Sequence, residues 1–130
     1  MDIPNGMRCK ELAALFHYRY IRIHPFEDGN GRIARLLVNY ILLRHNYPML
    51  VIRSDGRNNY LKVLHQCDLL TGKITSDGAY ATLKQAKPLV DHISAILENK
   101  LTALIQLAKG EISELIEAID DEKSGQKSWN

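Results

Sequence analysis

The sequence is poor in the residues and runs that mark several classes of protein. Its 130 residues include only two cysteines, one tryptophan and four prolines. Cys9 and Cys67 lie far apart and form no C-x-x-C pair, so we expect buried thiols in a reducing compartment rather than a disulfide framework. Because no apolar run is long enough for a signal peptide or a membrane span, a cytoplasmic setting is the default expectation.

An excess of charge of one sign is also missing. The chain has 17 lysines and arginines against 15 aspartates and glutamates, a formal net charge of +2, and acids and bases alternate along it. This balance does not indicate nucleic-acid binding. The hydrophobic fraction of 45% is ordinary for a soluble globular protein, and the length suits one domain with a real core.

Two widespread catalytic motifs are absent as well. There is no G-x-x-x-x-G-K-S/T stretch, which excludes a P-loop, and there is no H-E-x-x-H. His17 and His24 are too few to argue for a zinc site.

Helix patterns dominate, which predicts an all-α fold; only "PMLVIR" at 48–53 could be a strand. Apolar spacings of three and four predict a first helix over 7–23, ended by Pro25. Its predicted buried stripe is Leu12, Leu15, Phe16, Tyr20 and Ile23.

A second helix is predicted from Asn30 to about Arg44. It is apolar nearly all round, so we expect it at the centre of the domain. Its polar stripe consists of Arg32, Arg35 and Asn39. Because a buried unpaired charge is costly, the arginines should have an anionic partner, from the protein or from a ligand.

The rest of the chain predicts two further helical regions. One covers about 58–70, after an "SDG" cap at 54–56, and another should begin near Asp77, kink or restart at Pro88 and continue to Ile119. We expect three parts: a core over 1–97, a C-terminal helix or helices over 98–122 and a flexible tail over 123–130. The apolar stripe from Leu97 to Ile119 should pack on the core, a second copy or a missing domain.

The stretch "HPFEDGNGR" at 24–32 concentrates unusual chemistry between the first two helices. Gly29 and Gly31 permit positive φ and close ligand approach, so backbone N–H groups at the start of a helix can form an anion nest. Arg32 and Arg35 can clamp phosphate oxygens.

Two further residues of this stretch complete a reactive set. Asp28 can hold Mg²⁺, which takes few carboxylates alongside phosphate oxygens, and His24 can accept a proton from an attacking hydroxyl. Taken singly, "DGNG" is a common turn, a histidine before proline is usually structural, and paired arginines are usually solvated. Their coincidence favours phosphoryl or nucleotidyl transfer.

These residues resemble the signature of the Fic family, HPFx(D/E)GNGRxxR, and "HPFEDGNGRIAR" fills every fixed position. Flanking segments, among them "LFHYRYIRIHPF" and "RNNYLKVL", extend the similarity over about residues 10–70, and more loosely to 97. The resemblance implies a Fic-type helical enzyme that moves AMP from ATP to a Ser, Thr or Tyr hydroxyl of a target protein and releases pyrophosphate.

The resemblance also implies roles for residues of the signature. His24 would be the general base, and Asp28 would hold Mg²⁺ between the α- and β-phosphates. The anion nest would consist of Gly29, Asn30 and Gly31.

Further roles are implied around this nest. Arg32 would contact the β-phosphate side and Arg35 the γ-phosphate, while Phe26 would plug the loop into the core. Tyr60 matches an aromatic near the nucleotide base, and Leu61 stands where relatives often have a second tyrosine.

Other features of the family are missing from this sequence. The 23 residues before His24 are predicted to be helical, which leaves no room for the β-hairpin flap that clamps the target, and the N-terminal inhibitory helix with its glutamate is absent. "SELIEA" at 113–118 is loosely similar to a C-terminal form of the inhibitory motif, with Ala118 in place of Gly or Asn and Glu117 as the inhibitory candidate. We therefore expect the core and C-terminal part of a longer Fic protein.

Three alternative functions remain open. The chain could be a nucleotide-binding or regulatory module without transferase activity, because the flap is missing. It could be a phosphotransferase, phosphocholine transferase or de-AMPylating hydrolase, although Gly31 argues against the phosphotransferring branch, which has lysine there. It could also be an interaction protein built on its C-terminal helix. A target protein is the expected partner, with a second copy or a missing domain as further possibilities, and neither membrane nor nucleic acid is indicated.

Overall fold

A computed structural model describes residues 6–74 and 80–128, and their side chains up to residue 124. In these ranges the chain forms α-helices and one 3₁₀ turn, with no strand, which confirms the predicted all-α fold. The helices are α1 (Cys9–Ile23), α2 (Asn30–Arg44), α3 (Arg57–Thr71) and α4 (Lys87–Ser128), and the 3₁₀ turn is Ser54–Gly56. Residues 48–53, the one predicted strand, have no regular structure.

Helix α1 buries more than the predicted stripe. Leu15 is buried and Leu12 and Phe16 pack against the core as expected, but Ile23 is 61% exposed. The buried face also includes the polar residues His17, Tyr18 and Arg22. Ala13 and its neighbour Ala14 are fully buried, because small side chains let this face approach the core closely.

Helix α2 begins and ends as predicted, but it is buried on one side only. Val38 and Leu42 are fully buried, whereas Leu36 is 69% and Tyr40 is 52% exposed. Asn39, the third residue of the predicted polar stripe, has a structural role. Its amide nitrogen donates to the Leu50 carbonyl oxygen at 3.1 Å, and its carbonyl oxygen accepts from the Leu50 N–H at 2.6 Å. Asn39 therefore ties the 48–53 segment to α2.

The hydrophobic core lies within residues 1–97, which form one of two compact units of the chain. Its largest fully buried apolar side chains are Tyr18, Val38, Leu42, Cys67, Leu89, Ile93 and Leu97. Cys9 and Cys67 are both buried free thiols, as the sequence predicted. Helix α3 extends the predicted range by one residue at each end.

Helix α4 begins later than predicted. Residues 80–86 are irregular or turn, and the helix starts at Lys87, so Pro88 stands in its first turn, where a missing N–H costs no helical hydrogen bond. Asp77 lies outside the described residues. Gly110 does not interrupt the helix.

Residues 98–130 form the second compact unit. Its described part is helical to Ser128, and apolar residues along it are exposed, including Leu104, Ile112, Leu115 and Ile119. The flexible tail at 123–130 stays a prediction. No described helix combines the length and apolar character needed to cross a bilayer.

Candidate active site

The signature segment forms the connection between α1 and α2. His24 ends α1 in the left-handed conformation (φ 51°, ψ 59°), and its N–H donates to the Tyr20 carbonyl oxygen at 3.0 Å. Histidine is among the few non-glycine residues enriched in this region. Gly29 caps α2 with φ 80°, a conformation that favours glycine. These two left-handed residues turn the chain sharply, so that the loop opens at the N-terminus of α2.

The loop is anchored by Asn30 and not by Phe26. Asn30 is 3% exposed; its amide nitrogen donates to the Phe26 carbonyl oxygen at 2.6 Å, and its carbonyl oxygen accepts from the Phe26 N–H at 3.1 Å. The Phe26 ring is 55% exposed, so the expected apolar plug is wrong. The asparagine of the signature thus fixes the loop backbone by a reciprocal pair of hydrogen bonds.

The start of α2 has the geometry of an anion-binding helix terminus. No side chain caps this helix, and the first backbone bond of the helix runs from the Ile33 N–H to the Gly29 carbonyl oxygen at 3.0 Å. The N–H groups of the first helical turn therefore lack intrahelical acceptors, and the helix dipole is positive there. Asp28 folds back, and one of its oxygens accepts from the Gly29 N–H at 2.7 Å.

Gly31 is needed for the space beside it and not for the positive φ that the sequence predicted. It lies inside α2 and is not among the residues with positive φ, so backbone freedom does not explain it. A Cβ atom at this position would stand 3.1 Å from Nη1 of Arg35. Gly31 therefore leaves room for the Arg35 guanidinium to lie against the helix backbone, close to the anion-binding turn.

One cavity of about 680 Å³ brings the predicted site residues together. All nine line it: His24, Asp28, Gly29, Asn30, Gly31, Arg32, Arg35, Tyr60 and Leu61. The expectation that both arginines lie on a buried face is wrong, because Arg32 is exposed and Arg35 is half-buried. Both guanidinium groups can therefore meet a ligand from solvent.

Sequence reasoning missed three charged residues of the same cavity. Arg53 and Arg57 flank the 3₁₀ turn before α3, and Glu27 precedes Asp28 in the loop. The cavity wall thus has four arginines and two carboxylates, and its net positive charge suits a polyanion. The signal in the sequence was the "RSDGR" stretch, in which two arginines flank a turn that precedes a helix.

A buried polar pair lies beneath this cavity. His17 in α1 is fully buried, and its Nε2 is hydrogen-bonded to the hydroxyl of Tyr60 in α3, which is 5% exposed. The pKa of His17 is lowered to about 4, first by burial and then by the positive charge of Arg35, against an opposing effect of the Ala34 backbone. Burial raises the pKa of Tyr60, while Arg35, which donates a hydrogen bond to this tyrosine, acts the other way. Both side chains are therefore neutral at neutral pH.

A second polar cluster lies one residue further along α1. The Tyr18 hydroxyl donates to Asp68 at 2.6 Å, and Arg22 bonds to the Tyr18 hydroxyl at 3.2 Å, to Asp68 at 3.4 Å and to the Gly72 carbonyl oxygen at 3.0 Å. Burial, followed by Asp68, raises the pKa of Tyr18. Within the part of the chain that the structure describes, this cluster supplies Arg22 with three acceptors.

A second cavity, of about 650 Å³, shares only His24 and Ile21 with the first. Leu69 and Ile74 give it an apolar character, and Lys73 adds a positive charge. His24 thus stands where an arginine-lined cavity and a more apolar one meet.

Comparison with known proteins agrees with this geometry. The sequence profile of the Fic/DOC family matches residues 5–42. The chain is 59% identical to a Fic-domain-containing signaling protein of Bacteroides thetaiotaomicron, whose crystal structure superposes with a TM-score of 0.76 over 81% of this chain and 39% of that protein. The resemblance to the Fic family is confirmed.

Curated relatives of this chain carry the name protein adenylyltransferase. The one from Nematostella vectensis is 52% identical over 65 residues, which is 50% of this chain and 15% of the relative. The one from Caenorhabditis elegans is 34% identical over 116 residues, or 83% of this chain and 22% of the relative. The chain therefore spans less than a quarter of the length of these relatives.

Proposed function

We propose that this chain transfers AMP from ATP to a hydroxyl side chain of a target protein, and that it does so in the cavity at the start of α2. One observation carries the proposal. His24, the uncapped N-terminus of α2 and the guanidinium groups of Arg32 and Arg35 all face the same cavity. The names of the curated relatives support the same reaction.

The phosphate chain of ATP would lie along the first turn of α2. Backbone N–H groups of Asn30 and Gly31 and the helix dipole would stabilise the phosphate oxygens. Arg35 would hold the γ-phosphate and Arg32 the β-phosphate side. Charge then develops on the departing pyrophosphate in a site that already presents donors, which is the arrangement that lowers the barrier to transfer.

The residues present fit a magnesium ion that arrives with the nucleotide. No group of three or more His, Cys, Asp or Glu side chains among the described residues could hold a metal ion alone. Mg²⁺ commonly binds one or two carboxylates together with substrate phosphates and water. Asp28 lines the cavity and is exposed, so its carboxylate would hold the ion. A bound Mg²⁺ would neutralise phosphate charge.

His24 would act on the acceptor side. Its ring is exposed at the junction of the two cavities, so a target hydroxyl can approach it from the second cavity. His24 takes the hydroxyl proton while the hydroxyl oxygen attacks the α-phosphorus, and the bond from that phosphorus to the pyrophosphate oxygen breaks. The products are an AMP ester of the target and pyrophosphate.

Leu61 would form an apolar wall for the nucleobase, since it lines the cavity and is 49% exposed. We further propose that this reaction takes place in the cytoplasm and that the partner is the target protein.

The test uses labelled nucleotides. The purified chain is incubated with Mg²⁺ and a cell lysate in two parallel reactions, one with α-labelled and one with γ-labelled ATP. Lysate without the chain gives the background label. Adenylyl transfer predicts that the chain adds protein label above this background from the α-phosphate only. Added label from the γ-phosphate would show phosphoryl transfer and would contradict the proposal.

A second candidate is a nucleotide-binding module without transferase activity. The observation that favours it is the position of α1, whose fifteen residues end directly before His24, so residues 9–23 form no β-hairpin flap. ATP binding without label on any protein in the same experiment would support this alternative.

A further inference from the structure

Residues of three helices surround or support the Arg35 guanidinium: Gly31 of α2, Tyr60 of α3 and, behind Tyr60, His17 of α1. Gly31 leaves the space beside it, with Nη1 3.1 Å from where a Cβ would stand. The hydroxyl of Tyr60 in α3 is hydrogen-bonded to Nε2 of His17 in α1. Burial raises the pKa of Tyr60, and Arg35 opposes this by its charge and as a hydrogen-bond donor, so the guanidinium lies beside the same hydroxyl. The cavity wall at Arg35 is thus braced from behind by a buried chain of contacts.

The chemistry of the three groups limits the direction of these hydrogen bonds. A guanidinium has donors only, so the Tyr60 oxygen is the acceptor towards Arg35. The one hydroxyl proton of Tyr60 can then go to His17 when Nε2 is unprotonated. Neutral His17 with its proton on Nδ1 allows this bond, while Nδ1 itself has no hydrogen-bond partner among the described residues, and complete burial of the ring next to a guanidinium disfavours the charged form.

The hydroxyl of Tyr60 therefore has its hydrogen-bond partners within the protein and not in a ligand. The side chain is 5% exposed and contributes to the cavity wall, but its hydroxyl already has two partners. A long flexible arginine loses much conformational freedom when it binds a phosphate, and a fixed orientation reduces that cost.

We propose that His17 and Tyr60 are positioning residues that hold the Arg35 guanidinium at the start of α2 and so make the cavity select nucleotides with a triphosphate over nucleoside monophosphates. This inference rests on the proposed function, because it assumes that phosphates bind at that helix terminus. It assigns His17, which never contacts a ligand, a specific effect on ligand choice.

The test compares ATP with AMP. Binding of each nucleotide with Mg²⁺ is measured by calorimetry for the whole chain and for Tyr60→Phe, which removes only the hydroxyl. We expect ATP to bind at least about ten-fold more weakly to the variant, because a hydrogen bond to a charged group is lost. AMP affinity should stay within about two-fold, since AMP has no γ-phosphate for Arg35 to hold.

Tyr18→Phe is the matched control. Tyr18 is 1% exposed and also loses a buried hydroxyl bond, to Asp68, but it does not line the cavity. It should lower the melting temperature without changing the ratio of ATP to AMP affinity. Equal losses of ATP affinity in Tyr18→Phe and Tyr60→Phe, or equal losses of ATP and AMP affinity in Tyr60→Phe, would overturn the proposal.

Variants at His17 supply a rescue experiment. Glutamine can accept the Tyr60 proton through its side-chain oxygen, whereas leucine cannot. His17→Gln should therefore keep the preference for ATP that His17→Leu loses. The same low preference in both would show that His17 acts only through packing.

A ligand-free measurement separates this inference from the proposed function. The side-chain ¹⁵N resonances of Arg35 should show slow guanidinium rotation in the wild-type chain and faster rotation in Tyr60→Phe. Unchanged rotation would overturn the positioning role. A wild-type chain that selects ATP but labels no protein would contradict the proposed transfer and leave the positioning role supported.

Discussion

Two polar clusters join α1 to α3 through neighbouring residues of α1, His17 in one cluster and Tyr18 in the other, but they have different roles. His17 bonds to Tyr60 on the side of the cavity, and Tyr18 bonds to Asp68 on the other side. Each cluster places a tyrosine hydroxyl beside an arginine, Arg35 in the first and Arg22 in the second. The clusters differ in what neutralises the arginine.

The difference shows how one helix serves both stability and binding. Arg22 is almost buried, and its two terminal nitrogens donate to Asp68, Tyr18 and the Gly72 carbonyl oxygen, while its Nε has no partner among the described residues. For Arg35, the described residues supply a neutral hydroxyl and no carboxylate within ion-pair distance, so its charge remains available to the cavity. The Arg22 guanidinium therefore stabilises the fold, because protein acceptors surround it. The Arg35 guanidinium lies beside the neutral pair His17–Tyr60, so it can bind an anionic ligand.

The largest expected effect is the acid sensitivity of the His17 cluster. The pKa of His17 is lowered to about 4 in the folded chain, from 6.5. The unfolded chain therefore binds a proton between these values that the folded chain does not, so the free energy of unfolding falls as the pH falls from 6.5 to 4. Linkage gives a loss of about 3 kcal/mol. Urea denaturation at a series of pH values measures it.

A matched substitution isolates His17 in that experiment. His17→Gln removes the titrating group and should flatten the slope over this pH window. His92→Gln is the control, because burial lowers the pKa of His92 in the same direction while that residue belongs to neither cluster. An equal slope in the wild-type chain and in His17→Gln would show that His17 is not kept neutral by the fold.

Two glycine substitutions should affect the two clusters differently, with a smaller effect than that expected for the pH dependence of His17. Gly31→Ala places a methyl group 3.1 Å from Arg35 Nη1 and should displace the guanidinium, which lowers ATP affinity about ten-fold with little change in melting temperature. Gly72→Ala meets no neighbouring atom, but φ is 82° there, so it should cost about 1–3 kcal/mol of stability.

Calorimetry and thermal melts on both variants check this contrast. ATP affinity should be unchanged in Gly72→Ala, because Gly72 does not line the phosphate cavity. A loss of ATP affinity in Gly72→Ala equal to that in Gly31→Ala would remove the distinction between a binding cluster and a structural one.

The parts of the molecule that the sequence predicted well depend on local signals. Pro25 follows the end of α1, and Gly29 precedes the start of α2. The nine predicted site residues share one cavity because most of them lie within twelve positions of each other. At α4 the predicted restart at Pro88 is confirmed, since the helix begins at Lys87, whereas the earlier start near Asp77 does not continue through residues 80–86.

The parts that the sequence did not predict depend on distant contacts. The His17–Tyr60 bond joins residues 43 positions apart, and no period or spacing indicates such a pair. Arg53 and Arg57 reach the cavity only because the chain returns to it after α2. The resemblance implied that Phe26 plugs the loop into the core, whereas Phe26 is exposed and Asn30 satisfies the loop backbone without it.

The smallest expected effect lies outside both clusters, at Glu117. This residue is exposed in α4, and Ala118 breaks the inhibitory motif that its neighbourhood resembles. Glu117→Gly should therefore change neither ATP affinity nor self-labelling. Glu114→Gly, another exposed position of the same helix, controls for the helix-weakening effect of glycine. A large gain in Glu117→Gly alone would identify Glu117 as an inhibitor of Arg35.

The role of His24 is tested most directly by measuring ATP binding and transfer of α-label in His24→Ala. His24 stands at the junction of the two cavities, and the proposal has it act on the acceptor hydroxyl and leaves the phosphates to the start of α2. We predict ATP affinity within about two-fold of the wild-type chain and a transfer rate lower by about 10²–10⁴-fold. Transfer at the wild-type rate would contradict the account.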